Sequence, residues 1–66
     1  MKAEVIKLRF ERSENDLTYL RRSIQQHGVL QPILISYDLD VIDGSRRVQA
    51  CIDLGIPEIE AIFVKG

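Results

Sequence analysis

The sequence predicts a small α/β (α+β) domain in which two helices cover one face of a mixed sheet. Two observations predict it. Two segments have the apolar spacing of amphipathic helices, and each is followed by a glycine. Short apolar runs flank these segments and predict strands, which gives the order β-α-β-β-α-β. No linker, repeat or low-complexity tract interrupts the chain, so residues 1–66 are predicted to form a single domain with a core over about 3–64.

The first predicted strand covers Ala3–Leu8, where polar and apolar residues alternate loosely. The charged and polar segment 9–15 then predicts a loop. Three residues in or just after this loop could begin a helix, because their short polar side chains accept hydrogen bonds from free helical N–H groups. They are Ser13, Asn15 and Asp16.

The first helix is predicted over Asp16–His27. Leu17, Leu20 and Ile24 recur at a spacing that places them on one face of an α-helix, which is typical of an amphipathic helix packed on a core. Gly28 follows at the position where glycine commonly ends a helix in a left-handed conformation.

A hairpin is predicted after Pro32, which cannot donate a backbone N–H to a sheet and therefore marks where a strand begins. The two strands are predicted over Ile33–Ser36 and Val41–Ile42. Residues 37–40 between them are predicted to form the turn.

The second helix is predicted from about Gly44 to Leu54, because apolar residues recur with helical spacing from Val48 onward. Gly55 suits the position just after the helix, and Pro57 prevents its continuation. The last strand is predicted over Ile59–Val64.

Composition limits the class of protein. Apolar residues make up 45% of the chain and charged residues 29%, and no segment approaches the roughly 20 apolar residues of a membrane-spanning helix. No apolar stretch follows Met1 to indicate a signal peptide, and the lone Cys51 cannot form an internal disulfide. We therefore expect a cytoplasmic protein without a membrane partner. The net charge of −1 argues against direct non-specific binding of duplex DNA, which usually requires a basic excess.

The junction before the second helix predicts an anion site. The first N–H groups of a helix lack partners and attract anions, and Gly44 would let a ligand approach the backbone closely. Arg46 and Arg47 stand in the first helical turn, where the helix dipole disfavours cations. Two arginines there indicate an anionic partner. Phosphate is the obvious candidate, because guanidinium groups and backbone amides together suit its oxygens.

Two blocks of the sequence resemble the ParB/sulfiredoxin superfamily, in particular its ParB N-terminal-like (ParB-like nuclease/CTP-binding) domain. The first block, Leu20 to Ile35, contains a Gly-Val-Leu-Gln-Pro-Ile turn between a helix and a strand. The second block, Ile42 to Gly55, is similar to the Gly-Glu-Arg-Arg-aromatic-Arg-Ala pattern of ParB proteins. The resemblance covers roughly residues 3–64 and implies a ParB/sulfiredoxin-like fold.

The resemblance implies that the domain binds a nucleoside triphosphate, CTP or ATP, together with Mg²⁺. Gly28 and Gln31 of the first block would approach the base and ribose, and the Gln31 side chain offers the donor and acceptor that a base edge uses. The residues that would cradle the phosphates are Gly44, Ser45, Arg46 and Arg47.

No catalytic residue can be assigned from the sequence, and whether the protein is an enzyme stays open. The candidates for contacting a nucleotide-bound Mg²⁺, directly or through water, are Asp43 and Glu11. For Asp43 we favour a different role, in which its carboxylate caps the second helix. Reduction of cysteine sulfinic acid, as in sulfiredoxin, is not expected. Ser45 stands where that family has its catalytic cysteine, and Cys51 lies almost two helical turns further on.

The sequence departs from the ParB pattern at three positions. Ser45 replaces a glutamate, Val48 an aromatic residue and Gln49 an arginine. The third ParB motif and the helix-turn-helix DNA-binding domain have no counterpart in these residues. We therefore expect contact with DNA to be indirect, through a missing domain or a partner.

The predicted function is nucleotide (phosphate) binding in a ParB-like domain that belongs or is related to a DNA-segregation or DNA-regulation protein. Two alternatives stay open. One is an enzyme, either a ParB-like nuclease or a small-molecule kinase; the other is a protein-interaction module with a degenerate pocket. A homodimer is also open, because so small a sheet has edges to protect.

Overall fold

The computed structural model describes residues 1–12 and 16–65, which form a four-stranded mixed sheet with two α-helices. A single 3₁₀ turn over Val5–Lys7 follows the first strand. The strands are β1 (Lys2–Glu4), β2 (Ile33–Ile35), β3 (Val41–Asp43) and β4 (Glu58–Phe63), and the helices are α1 (Thr18–His27) and α2 (Ser45–Leu54).

The strand order in the sheet is β1-β4-β2-β3. Strand β4 pairs antiparallel with β1 and parallel with β2, so that Ala3 lies opposite Ile59 and Ile33 lies opposite Ala61. Strands β2 and β3 form an antiparallel hairpin, in which the register shifts between Leu34 and Ile35. The predicted β-α-β-β-α-β order and the mixed sheet are both confirmed.

The core lies between one face of the sheet and α2. Along β4, Ile59 and Ala61 are buried while Glu58, Glu60 and Ile62 are exposed, which is the alternation of a half-buried strand. Helix α2 packs against β4 and the 3₁₀ turn, and α1 packs against α2. The buried core cluster consists of Ala3, Val5, Leu8, Ile33, Ile35, Val48, Cys51, Ile59 and Ala61.

The predicted strand over Ala3–Leu8 is wrong beyond Glu4. Val5 and Leu8 are both buried whereas Ile6 is 83% exposed, and a spacing of three residues matches a 3₁₀ turn rather than a strand. The turn is closed by the Leu8 N–H, which donates to the Val5 carbonyl at 3.2 Å. The Val5 N–H donates instead to the carbonyl of Pro57 at 3.0 Å, and this tertiary contact ends the strand early.

Helix α1 begins at Thr18, two residues later than predicted, because Leu17 takes the N-cap position and Asp16 lies one residue before it. The Asp16 carboxylate accepts the backbone N–H of Thr18 at 2.9 Å and its hydroxyl at 2.6 Å. Ser13 and Asn15, the other predicted helix starters, lie outside the described residues. Gly28 ends α1 with the positive φ that was expected, 74°. Its ψ of −172° is extended rather than left-handed helical, a combination that strongly favours glycine.

The hairpin turn is held by Ser36, which lies just outside β2 rather than in it as predicted. Its hydroxyl accepts the backbone N–H groups of Asp38 and Asp40 at 3.2 and 3.1 Å. Leu39 adopts a positive φ of 68° in this turn. The backbone N–H of Ser36 donates to the Asp40 carbonyl and the Ser36 carbonyl accepts the Leu39 N–H, both at 2.9 Å, so the chain already reverses at Ser36 and the strand stops at Ile35.

The second half of the chain follows the prediction within one residue. Helix α2 begins at Ser45 and ends at Leu54, and β4 begins and ends one residue earlier than predicted. Gly55 has the predicted left-handed conformation, with φ 74° and ψ 22°. The N–H groups of Gly55 and Ile56 donate to carbonyls of the last turn of α2, which is the usual glycine-terminated helix end. Neither described helix is long and apolar enough to cross a membrane.

The buried cysteine provides a test of this core. Cys51 is fully buried, and burial raises the pKa of its thiol. Because the thiolate is the reactive form, we expect the native domain to react with DTNB only through unfolding. The reaction rate should therefore rise with urea in parallel with the unfolded fraction measured by circular dichroism. Reaction in the absence of urea as fast as that of free cysteine would show that the packing around Cys51 is wrong.

Candidate functional site

The start of α2 presents backbone N–H groups without helical partners. Gly44 is the N-cap residue, and its carbonyl accepts the N–H of Val48 at 3.1 Å, which is the first hydrogen bond of the helix. The N–H groups of Ser45, Arg46 and Arg47 precede that bond and have no acceptor inside the helix. These N–H groups carry the partial positive charge of a helix N-terminus. Free N–H groups in this arrangement can donate hydrogen bonds to an anion.

The prediction that Asp43 caps α2 is wrong. Asp43 ends β3, and Gly44 takes the N-cap position in a left-handed conformation with φ 104° and ψ 19°. This conformation turns the chain between Asp43 and the helix. The Asp43 side chain is 70% exposed, and its Oδ2 lies 3.9 Å from Nη2 of Arg47.

Gly44 is required by a close approach as well as by its backbone angles. A Cβ atom at this position would lie 2.5 Å from Cγ2 of Ile33, which is fully buried at the start of β2. It would also lie 3.2 Å from Nη2 of Arg47. The start of α2 therefore packs directly on the start of β2 with no room for a side chain between them.

A cleft of about 590 Å³, called the main cleft here, lies between the beginnings of the two helices. From the α1 side it is lined by Asp16, Leu17, Tyr19 and Leu20. From the α2 side it is lined by Asp43, Gly44, Ser45, Arg46 and Arg47. The structure thus brings all four predicted phosphate-cradle residues into one cleft.

A second cleft of about 240 Å³, the turn cleft, adjoins the main cleft and shares Leu20 and Arg47 with it. Gly28 and Gln31, the residues predicted to approach a base, line this second cleft. Its other lining residues are Ser23, Ile24, Val29 and Leu30. The two predicted groups of site residues therefore lie on one continuous surface, with Arg47 between them.

The two arginines of the second block have different surroundings. The Arg46 side chain is exposed at the rim of the main cleft. The Arg47 side chain is only 21% exposed, and its Nη1 donates to the carbonyls of Gln31 at 2.8 Å and Pro32 at 3.1 Å. Part of the Arg47 guanidinium is thus already occupied by the protein backbone, which the sequence did not indicate.

The two metal candidates do not share a cleft. Asp43 lines the main cleft, whereas Glu11 lines a neighbouring cleft of about 470 Å³ together with Arg9, Phe10, Asp40 and Val41. Ser45 borders both clefts. Across residues 1–12 and 16–65, no group of three or more His, Cys, Asp or Glu side chains could hold a metal ion by itself.

The sequence analysis did not predict that residues at the start of α1 line the main cleft. Asp16 and Tyr19 line the main cleft, and the Tyr19 side chain is 85% exposed. The pKa of Asp16 is lowered, mainly by the hydrogen bond from the Thr18 hydroxyl and to a smaller extent by that from the Thr18 backbone N–H, so the carboxylate stays ionised. The sequence did indicate that Tyr19 lies outside the apolar face of α1. Nothing in the sequence indicated that the side of α1 carrying Tyr19 would lie opposite the start of α2.

Comparison with known proteins identifies the family. The model of the ParB N-terminal domain matches residues 1–66. The chain belongs to the ParB N-terminal domain family. It is 40% identical over 55 residues to the probable chromosome-partitioning protein ParB of Helicobacter pylori, an alignment that covers 79% of this chain and 19% of that protein. The family predicted from the two blocks is confirmed, and the domain is related to chromosome-partitioning proteins.

Solved ParB structures share the fold. The C-terminally truncated ParB from Caulobacter crescentus, complexed with CTP-γ-S, matches with a TM-score of 0.84 and 26% identity over 100% of this chain. A Pnob8-like ParB-N domain matches 96% of the chain with a TM-score of 0.79 and 20% identity. This chain covers 44% of the Caulobacter chain and 28% of the Pnob8-like chain, so it corresponds to less than half of either.

The contact between Gly44 and Ile33 predicts unequal effects of replacing two glycines. In Gly55→Ala the new methyl group meets nothing within 4 Å, so only the positive φ costs stability, about 1–2 kcal/mol. In Gly44→Ala the methyl group also collides with Ile33, and we expect a further loss of about 1–3 kcal/mol. Urea unfolding of both variants measures the difference. Equal losses would show that the start of α2 does not pack closely on β2.

The hydrogen bonds from Thr18 to Asp16 at the start of α1 predict a pH effect. Because the pKa of Asp16 is lowered in the folded domain, its stabilisation is present at neutral pH and is lost as pH falls through the folded-state pKa. In Thr18→Val the hydroxyl donor is absent, so we expect the pKa of Asp16 to rise toward its ordinary value and acid unfolding to begin at a higher pH. Carboxyl ¹³C NMR titration measures this pKa, and Ser23→Ala serves as the control. An unchanged pKa in Thr18→Val would contradict a hydrogen bond from the Thr18 hydroxyl to Asp16.

Proposed function

We propose that this domain binds a nucleoside triphosphate, with the phosphates at the start of α2 and the base toward Gly28 and Gln31. One observation carries the proposal. The four residues of the predicted phosphate cradle line a single cleft that adjoins the turn cleft of the first block. CTP is the nucleotide we favour, because the Caulobacter relative that shares this fold was solved with CTP-γ-S.

The phosphate end of the site would combine backbone and side-chain donors. The N–H groups at the start of α2 point toward the helix N-terminus, and Gly44 has no side chain to obstruct a ligand there. The exposed Arg46 guanidinium is free to form forked hydrogen bonds to phosphate oxygens, which are stronger than bonds between neutral groups. Ser45 adds a hydroxyl to the same cleft.

The charges of the main cleft support binding of the nucleotide together with Mg²⁺. Besides two arginines, the cleft is lined by the carboxylates of Asp16 and Asp43, which would repel a bare polyphosphate. Mg²⁺ is commonly held by one or two carboxylates and the phosphates of the substrate. Asp43 would contact the ion directly or through water, because Oδ1 of Asp16 already accepts two hydrogen bonds from Thr18. Glu11 lies in the neighbouring cleft, further from this arrangement.

We propose further that the domain serves a longer DNA-partition protein. Its relative in Helicobacter pylori is a probable chromosome-partitioning protein, of which the alignment covers 19%. The near-neutral charge of the domain favours nucleotide rather than DNA as its direct ligand. Contact with DNA would then be made by other parts of the protein or by a partner.

Isothermal titration with CTP, ATP, GTP and UTP tests the proposal. We expect CTP with Mg²⁺ to bind most tightly and Arg46→Ala to weaken binding at least about tenfold, since a hydrogen bond to a charged group contributes about 1.5–3 kcal/mol. Asp43→Asn should reduce the gain that Mg²⁺ provides.

The matched control is Arg22→Ala, which removes an exposed arginine of α1 outside both clefts and should leave the affinity unchanged. Assay of released phosphate in the same samples distinguishes binding from hydrolysis. If none of the four nucleotides binds, with or without Mg²⁺, the proposal is wrong, and a protein-interaction module becomes the better account of the cleft.

A further inference from the structure

We infer that Arg47 is a positioning residue, which ties the first-block turn (residues 28–32) to the start of α2 and thereby sets the spacing between the two clefts. This inference rests on the proposed function for its ligand, but the tie itself is a property of the ligand-free domain. It assigns Arg47 a role different from that of its neighbour Arg46.

The Arg47 guanidinium is hydrogen-bonded directly to the first-block turn. Nη1 donates to two consecutive carbonyls of the turn, those of Gln31 at 2.8 Å and Pro32 at 3.1 Å. The donor is charged, and the side chain is only 21% exposed, so these bonds are stronger and less screened than bonds on an open surface. The two residues it holds lie immediately before β2.

The turn itself has features that make such a tie necessary. Gly28 enters it with a positive φ of 74°, and Leu30 is 78% exposed and contributes little packing. Val29 is only partly buried against the core. Apolar contacts therefore anchor this turn weakly, and the guanidinium supplies a directed polar contact to its last two residues.

The position of the Arg47 guanidinium connects the two ends of the proposed site. Nη2 lies 3.9 Å from Oδ2 of Asp43 and beside Gly44, and the residue lines both the main cleft and the turn cleft. Arg46 lines the main cleft but not the turn cleft. Loss of Arg47 would free the turn that carries Gln31, while the helix N-terminus and Arg46 would still attract phosphate.

Two ligands separate the two roles. In the presence of Mg²⁺, titration with CTP reports both ends of the site, and titration with tripolyphosphate reports the phosphate end alone. We expect Arg47→Ala to weaken CTP at least about tenfold but tripolyphosphate less than about threefold. Arg46→Ala should weaken both ligands to a similar degree. Arg47→Lys keeps the charge but replaces the planar guanidinium, whose Nη1 donates to both carbonyls while Nη2 lies toward Asp43, by a single ammonium group, and should recover only part of the CTP affinity.

Amide hydrogen exchange of the ligand-free domain, followed by NMR, tests the tie independently. The N–H group of Gly28, at the start of the turn, donates to the Ile24 carbonyl at 2.8 Å and is therefore protected in the wild type. It should exchange faster in Arg47→Ala and at an unchanged rate in Arg46→Ala. Arg47→Lys allows the same comparisons if Arg47→Ala is not folded. A purely phosphate-binding role for Arg47 would not change exchange in the turn.

The outcomes are distinct. Equal weakening of CTP and tripolyphosphate by Arg47→Ala, with unchanged exchange in the turn, would overturn the inference and make Arg47 a phosphate ligand. If the wild-type domain binds neither ligand, the proposed function fails. In that case amide hydrogen exchange by itself tests whether Arg47 holds the turn. Faster exchange in Arg47→Ala supports this role, and unchanged exchange refutes it.

Discussion

The contact between the start of α2 and the start of β2 is the constraint on which the candidate site depends. Gly44 approaches Ile33 so closely that no Cβ atom fits, and Arg47 donates to the carbonyls of Gln31 and Pro32. The first contact is steric and apolar, and the second is polar and charged. Together they hold the N-terminus of α2 beside the first-block turn, so that two parts of the chain 16 residues apart form one surface.

Burial, rather than ion pairs, holds the rest of the domain together. The ion pair between Arg21 of α1 and Asp53 of α2, at 3.1 Å, joins the helices with both side chains about one third exposed. Arg9 and Asp40 form a more exposed pair at 3.3 Å. Pairs of this kind contribute at most about 1 kcal/mol each. By contrast, each fully buried aliphatic side chain, such as Ile33 or Ile35, contributes about 1.5–3 kcal/mol before conformational entropy is counted.

The main cleft shows that the net charge of so small a domain does not report how its charges are distributed. The chain carries a net charge of −1, yet the cleft combines helix N–H groups and two guanidinium groups with two carboxylates. A surface of mixed sign suits a ligand that is itself mixed, such as a metal-bound polyphosphate, better than a bare anion. The position of each charge, rather than the sum, decides what the cleft can hold.

The sequence by itself determined the element order and the glycine that ends α2, because these follow from spacing and from local backbone preferences. Only the tertiary structure decided that Val5–Lys7 forms a 3₁₀ turn, that Asp43 does not cap α2, and that Arg47 bonds to the first-block turn. It also placed Tyr19 opposite the start of α2. Each of these depends on a contact between distant segments, and no local pattern encodes the partner of such a contact.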